Sequence, residues 1–503
     1  MRSPATPQTL AAIDMGSNSF RLEIAQLVRG SYRRLGYWKE TVRLGAGLDE
    51  QQMLTEEAAQ RGLQCLRQFA RLLAQWPGVQ LRAVATQTLR EARNRDDFLA
   101  RARQELGHPI EVISGREEAR LIYVGVSRLQ PSEEPRLVID IGGRSTEMIL
   151  GRGEQALSAE SFQIGSVSLS MRYFADGVYS AEAFRAAQVA AGAELEEAIQ
   201  TFGKGRHGVK WVQALGSSGT VGAVAQLLQG CGITDGTITL SALRWCIEQC
   251  LAAGHMSALN LPGLKDDRRP VVGGGLCILY TLLTHFGIEQ LAPAKGALRQ
   301  GVIFDLAERL VAQQNLAGQD RRDHSVHELQ QRFGVDLAQA QRVQELALSL
   351  HTLLAPRATR EHQRELAWAA ALHEIGMMVS HHDHHRHSAY LLAHVDAPGF
   401  SQNQLRRLGS LALGQRGGLR KLEEALADEA LMWQLLALRL AVIKCHARQP
   451  IDPKTLGLTR RGRSVSLRLP PDWAQANPRS QYLLNEELQA WSKSGRLELR
   501  LAR

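Results

Sequence analysis

Two short runs, far apart in the chain, constrain its fold more than any other feature. The first is Ile13-Asp14-Met15-Gly16-Ser17-Asn18-Ser19; the second is Val138-Ile139-Asp140-Ile141-Gly142-Gly143-Arg144-Ser145-Thr146-Glu147. Each reads as an apolar strand ending at an Asp, then glycine, then small hydroxyl side chains. A buried parallel strand carries a continuous apolar run. Glycine lets the following turn bring backbone N–H groups close to an anion. Hydroxyls add donors, and the Asp offers a carboxylate to a metal or a water. Phe20 to Ala25 alternates as a second strand after the first turn, and a hairpin from Arg136 echoes the arrangement. The echo predicts a duplicated α/β unit with two phosphate-gripping turns facing each other. A third turn, Gly216-Ser217-Ser218-Gly219-Thr220, follows another apolar strand and opens a helix. A helix N-terminus is itself an anion site.

At 503 residues, 44% hydrophobic and 22% charged, the composition is that of a soluble globular protein of three or four domains. The net charge of +9 favours an acidic partner such as a polyphosphorylated ligand. Residues 311–503 carry 26 Lys and Arg against 19 Asp and Glu, so most of that excess, with 12 of the 16 His, lies there. That balance suits a polyanion. The six cysteines form no CxxC pair, which predicts buried free thiols rather than zinc or disulfides. Met1–Gln8 lacks an apolar signal core, and no apolar run is long enough to span a membrane. A cytoplasmic chain is expected.

Periodicity predicts a third strand at Lys39–Leu44, a helix at Thr55–Leu73, a strand at Leu81–Ala85 and one helix from Thr86 through Leu106. A strand at Ile110–Ile113 leads into a helix capped by Ser114. Strands follow at Leu157–Phe162 and Lys210–Ala214, with helices near 180–203, 240–253, 269–286 and 296–314. Beyond a polar linker near Gln313–Ser325 the pattern is helical only, until strands at Val465–Leu469 and Leu497–Leu501 flank a helix at Gln481–Trp491. The expected domains are 1–130, 131–312, 320–448 and 449–503.

Asp14, Asp140 and Glu147 sit on or beside the phosphate turns. Carboxylates next to phosphate imply Mg²⁺ or a similar divalent cation between them; the alternative is turn capping. Glu117 and Glu118 open a helix. They serve its dipole, or one of them activates a water for in-line attack on a terminal phosphoryl group. Arg90 and Arg299 could clamp phosphate or pair with acids. His373-Glu374, then His381-His382-Asp383-His384-His385-Arg386-His387 and His394, could hold a metal, contact an anion or form a surface loop.

These stretches in this order resemble the bacterial exopolyphosphatase / guanosine pentaphosphate phosphohydrolase family of the actin, sugar-kinase and heat-shock ATPase superfamily. The resemblance runs through AAIDMGSNSFRLEIA (11–25), ATQTLREARN (85–94), VISGREEARLIYVGV (112–126), VIDIGGRSTEMILG (138–151), ALGSSGTVGA (214–223), GALRQGV (296–302) and ALHEIGMMVSHHDHHRHSAYLL (371–392). It implies two actin-like (ribonuclease-H-like) domains around a cleft, an all-helical His-Asp-phosphohydrolase-like domain and a small α+β cap. It implies Glu118 as the catalytic glutamate and Asp140 and Glu147, with Asp14 nearby, as metal-linked acids. Its phosphate loops match Gly16, Ser17, Asn18 and Ser19; Gly142, Gly143, Arg144 and Ser145; and Ser217, Ser218, Gly219 and Thr220, with Arg90 as the characteristic arginine. Two positions depart from the family pattern: Arg144 stands where glycine is usual, and Gln300 where glutamate is. The expectation is a Mg²⁺-dependent, processive exopolyphosphatase acting on inorganic polyphosphate, with His381, His382, His385, Arg386 and His387 along the polymer path. A homodimer without nucleic-acid or membrane partners is expected. The alternatives are a guanosine pentaphosphate (pppGpp) 5′-phosphohydrolase and, in another class, a non-hydrolytic polyphosphate or nucleotide sensor.

Overall fold

The computed structural model describes residues 8–28, 30–203, 210–314, 320–449, 457–470 and 473–502. The chain divides into two compact units, Met1–Val311 and Ala312–Arg503.

The first unit holds two five-stranded mixed sheets of one topology. Strands β1 (Thr9–Met15), β2 (Phe20–Val28), β3 (Ser31–Glu40), β4 (Gln80–Ala85) and β5 (Ile110–Val112) lie in the order β3-β2-β1-β4-β5. Strands β6 (Arg136–Ile141), β7 (Thr146–Arg152), β8 (Gln155–Phe162), β9 (Gln213–Ser217) and β10 (Leu291–Pro293) repeat it as β8-β7-β6-β9-β10. In each sheet three antiparallel strands are followed by two parallel ones. β1 and β6 are central, and their alternate residues pack into different clusters on the two faces, so the runs are apolar throughout. Register makes the duplication exact in kind: Met15 faces Phe20 across one turn, and Ile141 faces Thr146 across the other.

A third apolar layer lies between the sheets. Leu10, Ala12 and Val84 of the first sheet and Val138, Ile149 and Leu215 of the second share a cluster with two helices, Gly115–Leu129 and Leu298–Gln314. These helices touch backbone to backbone. A Cβ on Gly301 would lie 1.8 Å from the Leu121 carbonyl oxygen, and one on Gly125 would lie 2.3 Å from that of Ala297. That is why the 296–302 motif begins and ends its helical approach with glycine. A buried ion network ties the same helices to the first sheet. Asp305 accepts from Arg82 (2.7 Å), Arg120 (2.5 Å) and Arg309 (2.7 Å), and Arg120 also pairs with Glu117 (2.7 Å). Such charges are tolerated in the interior because each is paired several times.

The structure shifts some expected elements. The third strand is Ser31–Glu40 rather than 39–44; it is an edge strand with most side chains part-exposed, so its apolar pattern is weak. The helix expected across 86–106 is two helices, Gln87–Glu91 and Arg95–Leu106. Asn94 breaks it, accepting from the Leu54 N–H (2.8 Å) and donating to the Leu54 carbonyl (2.9 Å). The ninth strand starts at Gln213, three residues later than expected.

The second unit contains helices Arg321–Arg332, Leu337–Leu354, Arg360–Ala371, His384–His394, Gln402–Gly414 and Glu429–Lys444. The three-stranded sheet of β11 (Gly457–Arg461), β12 (Ser464–Arg468) and β13 (Glu498–Ala502) follows, with the helix Pro478–Ser494. β11 was not expected from the sequence. Helices and sheet share one core, reaching from Leu329 to Trp491 and Leu499. The six cysteines are free thiols, five of them buried. Among the described residues no helix is long and apolar enough to cross a membrane.

Candidate active site

The two hairpin turns meet across a cleft in the first unit. A Cβ on Gly143 would lie 3.2 Å from Ser17 Cβ and 3.6 Å from the Asn18 nitrogen, so the two turns stand in close contact and a side chain here would crowd Ser17. The second turn is closed by Gly142 N–H donating to the Ser145 carbonyl (2.9 Å). The first is held by Arg43 and Gly45, whose N–H groups donate to Asn18 (2.9 Å) and Ser17 (2.8 Å) carbonyls. Asn18 Nδ2 and Ser19 Oγ are buried without a protein partner, and both residues line the cavity between the turns. Orphaned buried donors of this kind call for ligand oxygens.

The cavity is about 410 Å³. The third turn forms another of its walls, where Ser218 sits at φ 89°, a strained conformation for an L residue. The hydroxyls there are engaged internally: Ser218 and Thr220 each donate to the Ile141 carbonyl (2.9 Å), and Ser217 donates to that of Gly296 (3.2 Å). They lock the loop, which leaves the helix N-terminus facing the cavity. Arg21, Lys39, Lys265, Arg268, Lys295 and Arg299 also line it, against the carboxylates of Asp14, Glu118 and Asp140. The cationic surplus suits a polyanion.

The structure separates the adjacent glutamates. Ser114 caps the helix by accepting from Glu117 N–H (3.2 Å). Glu117 then turns into the Arg120–Asp305 network, whereas Glu118 lines the cavity and takes Arg90 Nη1 at 2.7 Å. Burial pushes the Glu118 carboxyl up to about 7; Arg90 opposes this, and Asp140 and Asp14 add to it. Burial raises Asp140 to about 6, helped by Asp14 and opposed by Ser217, Arg21 and Arg299. Glu147 is pushed well up by burial and by Glu118 and Asp140.

Four of the expected site residues have protein partners in this structure. Arg144 does not aim its side chain at the cavity. Glu91 takes its Nη2 (2.6 Å) and Nε (3.0 Å), and the Gly45 carbonyl accepts from Nη1 (3.2 Å), so its guanidinium is engaged by an acid across the cleft. Arg90 is committed to Glu118, Gln87 and the Ile113 carbonyl. Glu147 is buried and accepts from Ser161 (2.8 Å), outside the cavity lining. Asp14 is neutralised by Arg21 (3.1 Å) and Arg299 (3.7 Å). Among the described residues no three His, Cys, Asp or Glu side chains converge as a metal site. Asp140 nevertheless lines the cavity with a half-buried carboxylate. Mg²⁺ commonly takes one or two carboxylates together with substrate phosphates and water, so this donor set fits a cation that arrives with a phosphorylated ligand.

In the second unit, His384 and His385 are buried, and burial pushes each ring down to about 4. Of the histidine cluster, His385 is thus withdrawn from the surface, whereas His381, His382 and Arg386 are exposed and His387 part-exposed. Gln300 has a local explanation: its amide donates to both oxygens of buried Glu23 (2.7 and 2.9 Å), where a glutamate would repel. The cavity cations Arg21, Lys39, Lys265, Arg268 and Lys295 were not singled out from the sequence. Arg21, the second residue of β2, Lys39, at the head of the strand expected at 39–44, and Lys295, beside the 296–302 motif, lay next to features legible in the sequence.

Residues 23–310 match the model of the Ppx/GppA phosphatase family, and residues 321–489 match Ppx/GppA phosphatase, domain III. This chain belongs to the Ppx/GppA phosphatase family. It is 36% identical over 490 residues to the guanosine-5'-triphosphate,3'-diphosphate pyrophosphatase of Photobacterium profundum, covering 97% of this chain and 96% of that protein. Identity to the pyrophosphatase of the same name from Vibrio cholerae is 37% over 473 residues, 93% of each chain. The crystal structure of an exopolyphosphatase from Cytophaga hutchinsonii aligns at TM-score 0.54 and 27% identity, covering 60% of this chain and 98% of that one. The Aquifex aeolicus PPX-GPPA enzyme aligns at TM-score 0.50 and 26% identity, covering 59% and 99%. Ppx/GppA membership makes the chain a hydrolase of phosphoric anhydrides, and its paired mixed sheets are the actin-like domains of that family.

Proposed function

We propose that the chain is a guanosine pentaphosphate 5′-phosphohydrolase. The carrying observation is likeness to guanosine-5'-triphosphate,3'-diphosphate pyrophosphatases through both units, 93–97% of the chain. The site supports it: a cavity of about 410 Å³ is of a size for a compact ligand. Its cations extend beyond the three turns, as a ligand phosphorylated at two ends requires. This places the pppGpp reading ahead of the processive polyphosphatase.

In this reading, main-chain N–H groups of the turns at 16–19, 142–145 and 217–220 hold the oxygens of the terminal phosphoryl group. Glu118 accepts a proton from a water and aligns its oxygen with phosphorus. The new P–O bond forms as the anhydride P–O bond breaks, giving orthophosphate and guanosine tetraphosphate. Arg90 orients Glu118. Mg²⁺, held by Asp140 with Asp14 and Glu147 behind it, would neutralise phosphate charge. The helical unit is read as the His-Asp-phosphohydrolase-like part, and the molecule as a homodimer.

Orthophosphate release from pppGpp and from long-chain polyphosphate tests the reading. We expect a higher kcat/KM for pppGpp, and a kcat reduced by about 10³-fold or more in Glu118→Gln with the fold retained. A clear preference for polyphosphate would return the exopolyphosphatase reading, and undiminished release by Glu118→Gln would remove the glutamate from the mechanism.

A further inference from the structure

Arg144 starts a continuous chain of polar contacts that ends on the candidate base. Its guanidinium, on the β6–β7 turn, holds Glu91 Oε2 through Nη2 (2.6 Å) and Nε (3.0 Å). The other Glu91 oxygen accepts from the Gln87 amide nitrogen (2.6 Å). The Gln87 amide oxygen accepts from Arg90 Nε (2.9 Å) and Nη2 (2.5 Å), and Arg90 Nη1 donates to Glu118 (2.7 Å). Each link permits only one polarity. A carboxylate can only accept and a guanidinium can only donate, so Gln87 must present nitrogen to Glu91 and oxygen to Arg90. The side chains are largely shielded from water, with exposures of 22% for Arg144, 16% for Glu91 and 11% for Arg90. The path also spans the cleft: Arg144 leaves the second sheet, whereas Glu91, Gln87 and Arg90 belong to the short helix after β4. Arg144 packs over Gly45, where a Cβ would meet its Cδ at 2.9 Å, and bonds the Gly45 carbonyl as well.

From this geometry we infer that Arg144 is a positioning residue for Glu118, acting through Glu91, Gln87 and Arg90, so that bringing the two phosphate turns together and fixing the base are one event. The inference rests on the role given to Glu118 above. Its physical basis is competition between acids. Glu91 adjoins Arg90 in sequence, and its carboxylate is held elsewhere by Arg144, the one cation on it among the described residues, and by the neutral Gln87 amide. Without Arg144, Glu91 is a free, poorly solvated anion one amide away from Arg90, and Arg90 is drawn from Glu118 towards it. A lysine offers a point charge rather than the planar set of donors that reaches both Glu91 Oε2 and the Gly45 carbonyl.

Kinetics and a crystal structure of Arg144→Ala test the inference. With pppGpp we expect kcat to fall about 10- to 100-fold, as for a misplaced catalytic group, with KM little changed. Arg144→Lys should lose kcat similarly, and this variant serves if the alanine variant does not fold. The double variant Arg144→Ala/Glu91→Gln should recover much of the lost kcat, because no rival carboxylate remains. The structure of Arg144→Ala should show Arg90 on Glu91, a readout independent of substrate. A raised KM with kcat intact would make Arg144 a phosphate contact and overturn the inference. So would Arg90 remaining on Glu118, or a double variant no faster than the single one. Wild-type inactivity on pppGpp would count against the proposed function and leave the Arg90 readout standing.

Discussion

At the scale of single residues, the site is decided by what lies beside each charge. Glu117 and Glu118 are adjacent, yet one is consumed by Arg120 and the other faces the cavity. Burial raises Glu118 to about 7 despite Arg90. A general base must be ionised to act, so the sign is definite: kcat/KM rises with pH through about 7 and levels off above it. A pH–rate profile of the wild type between pH 5 and 9 checks this; a flat acid limb would show that Glu118 is not the group taking the proton. Local pattern singled out the two acids without choosing between them. The choice depends on Asp305, far along the chain, which gathers Arg120 and so engages Glu117.

At the scale of elements, the helix that carries Glu118 is positioned by glycines rather than by large side chains. Gly301 approaches the Leu121 carbonyl so closely that any Cβ forces the helices Gly115–Leu129 and Leu298–Gln314 apart. Gly301→Ala should cost about 1–3 kcal/mol by overpacking and also lower kcat, since Glu118 shifts with its helix. Gly222, within the helix Ser218–Gly230, has open space where a Cβ would go. Gly222→Ala should stabilise by about 0.5–1 kcal/mol, as alanine does in a helix interior. Chemical denaturation of both variants measures the contrast, and equal effects would refute the packing account. Most long helices were legible from period alone; Arg269–Phe286 is one whose bounds coincide with the expectation. The break at Asn94 was not, because its cause is a pair of bonds to Leu54, 40 residues away.

At the scale of the whole molecule, the cavity carboxylates place a pH-dependent load on stability. Glu118 at about 7 and Asp140 at about 6 lie above the ordinary carboxylate value of about 4. Between about pH 4 and 7 the folded state binds more protons than the unfolded one, so their contribution falls as pH rises. Asp305 acts oppositely: Arg309, Arg120 and Arg82 hold its carboxyl low, so its contribution is present above about pH 4 and is lost in acid. A divalent cation in the cavity favours the ionised carboxylates, so Mg²⁺ should raise Tm more at pH 8 than at pH 5.5. Calorimetry with and without Mg²⁺ at both pH values decides it, and an equal shift would mean that the cation binds elsewhere. The sequence alone determined the duplicated strand-turn-strand units, the three glycine- and hydroxyl-rich turns and the pair of candidate glutamates. Those features are written in neighbouring residues, as apolar runs, glycines and hydroxyls that act over a few positions. Only the tertiary structure decided that Arg144 answers to Glu91, that Arg90 serves Glu118, that Glu147 lies outside the cavity lining, and which cations line it. Those outcomes are contests between charges brought together by docking the two sheets on shared helices, and partners 28 to 53 residues apart leave no periodicity to read.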